Sequence, residues 1–254
     1  YKSGYKRLTL MDGLRLKADL GGWKLSSVTS VQMLFDSMNM DQDFTPKSIF
    51  TLNQTQKQFA LTQEIILRPS VRPDWWDSQT GVFLMAKFNR MSAPVDFLEG
   101  GIKSLILDNA NSGIPADFGR LDILEDRFRI ASDFDILTGN LAAYHESVFS
   151  LGRWRLTAGL RLDYEGGRML YDSNSEIHFI LAPAMPDYIP FNTSLEGNES
   201  VNCLQLQPKI SVIYDAANRR MKAKGTGLKF SATVSKGYRG GGFNTQIFSD
   251  VLQR

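Results

Sequence analysis

Cysteine is nearly missing from this sequence of 254 residues. Cys203 is the single example, so no intrachain disulfide framework can brace the fold and no thiolate zinc cluster can form. Long apolar runs are missing as well. Lys, Arg, Asp, Ser and Thr interrupt every hydrophobic stretch well short of the ~18 residues a membrane helix needs, which excludes a helical membrane protein. It does not exclude a membrane barrel, whose strands turn only every second residue toward lipid and so carry the average hydropathy of a soluble protein. Charge of one sign is not in excess, with Lys+Arg at 29 against Asp+Glu at 27. A formal net charge of +2 without a concentrated basic run argues against a nucleic-acid partner. The opening residues YKSGYKRLTL lack the apolar stretch and small-residue cleavage site of a secretory signal, so the chain is expected to start in mature sequence.

What is present is alternation. At 43% hydrophobic and 22% charged residues the chain belongs with ordered proteins. From Arg153 to Glu165, Trp154, Leu156, Ala158, Leu160, Leu162 and Tyr164 interleave with Arg153, Arg155, Thr157, Gly159, Arg161, Asp163 and Glu165. That is period two, the signature of a strand with one apolar and one polar face. Its aromatic ends and its length suit a tilted bilayer-spanning strand. The pattern recurs from Gly227 to Arg239, where Lys236 interrupts the apolar side, and from Leu204 to Asp215, where Pro208 is expected to weaken pairing. Gly13 to Leu20 and the run opening at Trp23 read as a hairpin about Gly21-Gly22. Lys57 to Arg68 with Gly81 to Met91, and Asn140 to Phe149 with the Arg153 strand, read as further hairpins joined by short connections.

Between hairpins the sequence changes character. Asp43 to Gln56, Ala93 to about Glu125, and Ser173 to Asn202 are rich in Pro, Asn, Asp, Gly and aromatic residues and are expected to be long loops. Short and long connections thus alternate, as in outer-membrane barrels with tight periplasmic turns and extended outer loops. A compact soluble domain rarely carries several such loops. No composition shift divides the chain, and no fixed repeat period suggests a propeller or solenoid.

No catalytic constellation emerges. His145-Glu146 lacks the second histidine of a metalloprotease helix, and a lumen or girdle position is the better reading. His178 sits in an expected loop and is read as solvated. Gly240-Gly241-Gly242 is not followed by a helix whose N-terminus could face a phosphate, so these glycines are read as permitting a bend. Cys203 is expected to be a small buried residue without a redox task. Neither a metal nor a cofactor is called for.

The segment Ser235 to Asn244, SKGYRGGGFN, resembles the Ser-x-Gly-[Tyr/Phe]-[Arg/Lys]-x-Gly-Gly-[Phe/Tyr]-Asn signature of TonB-dependent receptor barrels. Upstream, Leu206-Gln207-Pro208-Lys209-Ile210-Ser211 is similar to the family's Pro-Lys-[Ile/Leu]-Ser strand. Leu156 to Tyr164, LTAGLRLDY, is similar to its Leu-Thr-x-Gly-[Leu/Val]-Arg-x-Asp strand. Weaker matches at Trp23 to Asp36, and at Gln63 to Leu67 before Gly81-Val82-Phe83, extend the resemblance over about Leu14 to Asn244.

The resemblance implies an all-β fold, an antiparallel up-and-down transmembrane β-barrel of which residues 1–254 form an internal wall segment. About eight strands are countable, against the 22 of an outer-membrane transporter barrel. Plug domain and C-terminal strands are expected to lie elsewhere, and Leu252-Gln253-Arg254 to fall inside a loop. It further implies a bacterial outer-membrane receptor without enzymatic activity. Its partners would be outer-membrane lipid, an imported small molecule (ferric siderophore, haem, cobalamin or oligosaccharide) and the TonB–ExbB–ExbD complex, reached through the N-terminal region.

On that reading the loop aromatics Phe97, Phe118, Phe179, Tyr188 and Phe191 are candidate ligand contacts. Arg155, Arg161, Asp163, Glu165, Lys229 and Arg239 are expected to face a hydrated lumen. Alternation alone also fits a soluble β-sandwich or small barrel that binds carbohydrate or lipid, because it does not separate a lipid-facing side from a buried core.

Overall fold

The computed structural model describes residues 3–41, 45–217 and 227–245. Leu252-Gln253-Arg254 and the start of the Asp43 loop lie outside the described residues. Ten strands form one antiparallel sheet: β1 (Gly4–Asp19), β2 (Trp23–Asp41), β3 (Phe50–Pro69), β4 (Trp76–Ser92), β5 (Val95–Leu98), β6 (Arg120–Ile123), β7 (Arg127–Leu151), β8 (Trp154–Ala182), β9 (Ile189–Asp215) and β10 (Lys229–Ser235). The eight long strands follow one another as neighbours, β1-β2-β3-β4-β7-β8-β9-β10, in an up-and-down meander. The short β5 and β6 are off this path and extend the loop end, β5 pairing β3 and β7, and β6 pairing β8.

Directly paired residues share a face of a sheet, so the register builds rows across the wall. One row runs Leu16, Ser27, Ile65, Val82, Ala143, Leu162, Leu206. Its neighbour on the opposite face carries Gly81, Tyr144, Arg161 and Gln207. The exposure of the two faces is inverted relative to a soluble protein. Leu162 is 45% and Tyr164 49% exposed, whereas Asp163 between them is 2% exposed. Polar side chains are crowded together and apolar ones are spread outward. A soluble sandwich would need a second layer on the apolar side, but the strands of the described residues form a single sheet.

All four tryptophans lie at one end of the wall. Trp23 opens β2, Trp75 and Trp76 precede and open β4, and Trp154 opens β8 beside Tyr214, with ring centroids 4.6 Å apart. This is also where the connections at residues 20–22, 70–75 and 152–153 are short. Gly152, at φ 62°, supplies the left-handed residue that the two-residue turn requires. Trp154 and Tyr164 are ten residues apart. At ~3.4 Å per residue and a tilt of roughly 40° this spans about 26 Å, matching the ~25 Å apolar band of such barrels.

Several sequence expectations need correction. Ser173 to Asn202 is not a structureless loop, because β8 and β9 remain paired to Phe179 and Ile189. Beyond the apolar band both faces of a strand are wet, so the alternation disappears while the backbone ladder continues. Hydroxyl and amide pairs such as Ser175 with Thr193 and Arg168 with Asn198 replace the apolar contacts. Ala93 to Glu125 is likewise organised, by β5, a helical run over 99–112 and β6. The strands β3 and β7 start earlier than expected, at Phe50 and Arg127.

In contrast, β10 is shorter than Gly227 to Arg239. The Lys236 N–H donates to the Pro208 carbonyl at 3.0 Å, but proline has no N–H to return, and the ladder stops there.

One close approach fixes the register locally. The ring of Tyr144 lies across Gly81, where an added Cβ would sit 2.4 Å from ring atoms, and its hydroxyl donates to Glu64 Oε1 at 2.8 Å. Gly81→Ala is expected to displace the ring and lower unfolding stability by about 1–3 kcal/mol. In a Tyr144→Ala background the same substitution should cost much less. Urea unfolding of the full-length protein in detergent micelles, run as a double-mutant cycle, measures the difference.

Candidate functional site

Two regions concentrate polar chemistry, the covered face of the wall and its loop end. On the covered face Arg161 of β8 donates to Asp163 from Nε and Nη2 at 2.5 and 2.8 Å. Asp163 also accepts from Gln207 on β9 at 2.5 Å and from Asn140 on β7 at 3.3 Å. The Arg161 guanidinium stands 5.7 Å from the ring centroids of both Phe83 and Tyr144. With the Tyr144–Glu64 bond, strands β3, β4, β7, β8 and β9 are joined by one network in which Arg161 neutralises Asp163. A little nearer the tryptophan end, Lys209 pairs with Glu146 at 2.8 Å.

Arg155, Arg161, Asp163, Glu165 and Lys229 fall on this face by register. Arg239 lies beyond the end of β10, so strand alternation does not set its side. Residues 236–245 belong to no strand. Tyr238 donates to Glu165 Oε2 at 3.2 Å, and Phe243 packs against a cluster of Met91, Phe134 and Met169.

The outer face carries a histidine. His145 belongs to the apolar side of β7, neither a lumen position nor part of the tryptophan belt. Both ring nitrogens are satisfied there, Nδ1 with Thr80 at 2.8 Å and Nε2 with Ser147 at 3.0 Å. Gln63 is held in the same way by Thr29 and Ser27. On this apolar face the polar groups thus bond to each other and need no partner from outside the wall.

At the loop end the five candidate aromatics separate. Phe97 is 2% exposed and stacks on Phe128 at 5.0 Å, within a core that includes Ile102 and Ile123. It is a packing residue. Phe179 packs against the same core and meets Phe191 edge-on at 6.1 Å. Tyr188 donates to Asp122 at 2.9 Å and ties the β8–β9 tip to β6. Phe118, at 66%, and Phe191, at 49%, offer exposed aromatic surface.

Two acid-centred latches, absent from the sequence reading, hold this end together. Buried Asp96 accepts from Arg127 at 2.7 Å, from Arg129 at 2.8 and 3.1 Å, and from Asn53 at 3.1 Å. Burial alone would raise its pKa, yet the hydrogen bonds and charges of Arg129 and Arg127 hold it below the usual carboxylate range. Glu125 accepts from both the backbone N–H and the ring Nδ1 of His178, at 3.0 and 2.6 Å. Its pKa too is depressed, with the bonds from His178 outweighing the cost of burial. His178 is therefore a paired residue and not a freely solvated one. The alternation in Arg127-Phe128-Arg129-Ile130 was the available signal for the first latch; the second depends on a pairing 53 residues apart.

Among the described residues no group of His, Cys, Asp or Glu is placed to hold a metal ion. Cys203 is partly buried, and Gln205 donates to its sulfur at 3.3 Å.

Both latches contribute stability only while their carboxylates are charged. Since each folded-state pKa is depressed, that contribution is complete above the ordinary carboxylate range and fades as pH falls through the folded value, below about pH 4. Amide exchange, corrected for intrinsic rates, should show residues 95–98 and 120–125 losing protection in that window while the strand centres stay protected. Asp96→Ala should give residues 95–98 the same loss at pH 7, by roughly 1.5–3 kcal/mol.

No family model matches this sequence, and no curated protein does. Solved structures do resemble the fold. The ferric yersiniabactin uptake receptor FyuA from Yersinia pestis aligns over 84% of this chain at 15% identity and a TM-score of 0.53. The RagAB peptide importer in its open-open state aligns over 91% at 10% identity and a TM-score of 0.42. This chain spans about a quarter of the first (27%) and a third of the second (32%). The likeness is one of fold, an antiparallel up-and-down β-barrel wall such as the first of these structures contains.

Proposed function

We propose that this chain is part of the wall of an outer-membrane receptor that captures a scarce nutrient at its loop end and imports it with energy supplied through TonB. The observation that carries the reading is the inversion of burial, with exposed apolar rows facing outward and Asp163 and its partners covered on the opposite side. Hydrocarbon tolerates such a surface and water does not. The tryptophan belt and the height of the apolar band agree with it.

The two edges of the sheet extend the proposal. No strand of the described residues pairs with the free side of β1 or β10. An unpaired strand edge in hydrocarbon leaves several kcal/mol of unsatisfied backbone at each residue. Further strands of the same barrel are therefore inferred on both sides, enclosing a lumen wide enough for a folded gate. The latched loop end, with Phe118 and Phe191 exposed, is the surface on which a ferric siderophore, haem, cobalamin or oligosaccharide would first dock. Import by this route needs no covalent chemistry from the chain, so an enzymatic role is not part of the proposal.

Growth tests the reading. A strain lacking the complete gene, supplied with one iron source, cobalamin or one glycan at a time, should lose growth on a single source. The gene should restore it only when TonB is active. Unchanged growth on every source, together with recovery of the native full-length product from the soluble fraction, would overturn the proposal.

A further inference from the structure

On the covered face Arg161 is paired with Asp163, Lys209 with Glu146, and Arg7 with Asp36. Cations gather more densely in one further place. At the short-turn end of β1, β2 and β3 a cavity of about 370 Å³ is lined by Arg15, Lys17, Lys24 and Arg68 with Asp19, together with Ala18, Leu25, Ser26 and Ile66. Its size falls at the lower end of small-molecule sites, about 300–1,000 Å³.

The register explains why the cations converge. Lys24 stands directly opposite Arg68 on one side and Asp19 on the other, while Lys17 stands opposite Ser26. Like charges facing each other across strands are destabilising unless something lies between them. The lone carboxylate is partly engaged, since Asp19 Oδ1 accepts the Gly21 N–H at 3.1 Å. Glu64, farther along β3, is taken by Tyr144. Arg68 spends one nitrogen on Gln79 at 2.6 Å, which orients the guanidinium and leaves its other donors for a second partner. Four cations against the one carboxylate of Asp19 give the cavity a surplus of positive charge.

We propose that this cavity binds a compact polyanion bearing two or more phosphate or carboxylate charges. Arg68 and Arg15 provide planar donor pairs, and Lys17 and Lys24 provide point charges on flexible stems. The site lies beside Trp23, at the mouth opposite the loop end, where an anionic cargo would meet it last before release. The inference rests on the barrel reading only for which face is wet, and it does not depend on the cargo.

Calorimetric titration of the full-length protein in neutral detergent micelles with sodium pyrophosphate tests it. One saturable site is expected, weakened at least tenfold in Lys24→Gln/Arg68→Gln and weakened progressively from 50 to 200 mM NaCl. Lys209→Gln should leave it unchanged. Heat-dependent mobility in electrophoresis checks that each variant retains its barrel, and Lys17→Gln, on the edge strand, gives an independent reading. Equal affinity in the wild type and these variants, or no binding at all, would refute the site. So would carbodiimide coupling of Lys17 or Lys24 to a carboxylate elsewhere in the full chain, because the cavity would then be filled by the protein itself. Growth on nutrient sources does not enter this test, so the site and the import reading fail separately.

Discussion

Strand-to-strand backbone hydrogen bonding is the constraint from which the remaining features follow. Once each long strand is paired with its neighbours, successive side chains must point to opposite faces, and the sequence can assign one face to lipid and the other to water. The row from Leu16 to Leu206 and the adjoining row through Tyr144, Arg161 and Gln207 are the two results of that assignment. The short turns and the tryptophans gather at one end because the same pairing sets where each strand meets the membrane boundary. Even the exceptions obey it. His145 and Gln63 on the outer face are tolerated because their polar atoms are bonded to neighbouring hydroxyls on that face.

How much was legible in the sequence follows from where that constraint leaves a trace. Within the apolar band each face has its own chemistry, so Arg153 to Glu165 and the turns at Gly21-Gly22 and Leu151-Gly152 could be read directly. Beyond the band both faces are hydrated and the trace vanishes. The sequence of the distal halves of β8 and β9 accordingly has the character of a loop, although their pairing continues to Phe179 and Ile189. The helical run over 99–112 was hidden for another reason. Its apolar residues are few and are buried only against Phe97, Phe128 and Phe179, a core assembled from distant segments.

The candidate site was legible as a region more than as residues. Assignment of Arg155, Arg161, Asp163, Glu165 and Lys229 to one face needed only alternation, whereas Arg239 escaped it because Pro208 ends the ladder first. Among the aromatics, sequence could not distinguish Phe97, which holds the loop core, from Phe118, which is open to solvent. The Asp96 and Glu125 latches and the cationic cavity depend on register between segments tens of residues apart, and composition carries no record of that register. Their net effect is a wall that pairs Arg161 with Asp163 in its middle, fastens its loops through Asp96 and Glu125, and, on the proposed reading, keeps a positive surplus at the opposite mouth.

The central claim is that the apolar rows meet acyl chains. Single cysteines placed at 160 through 165 in a full-length Cys203→Ser protein, spin-labelled and reconstituted into lipid vesicles, measure it by electron paramagnetic resonance. Collisions with oxygen, which is enriched in hydrocarbon, should be frequent at 160, 162 and 164 and infrequent at 161, 163 and 165, with a water-soluble relaxant giving the opposite pattern. Low accessibility to both relaxants at 160, 162 and 164 would place those side chains in a dry protein interior and contradict the account.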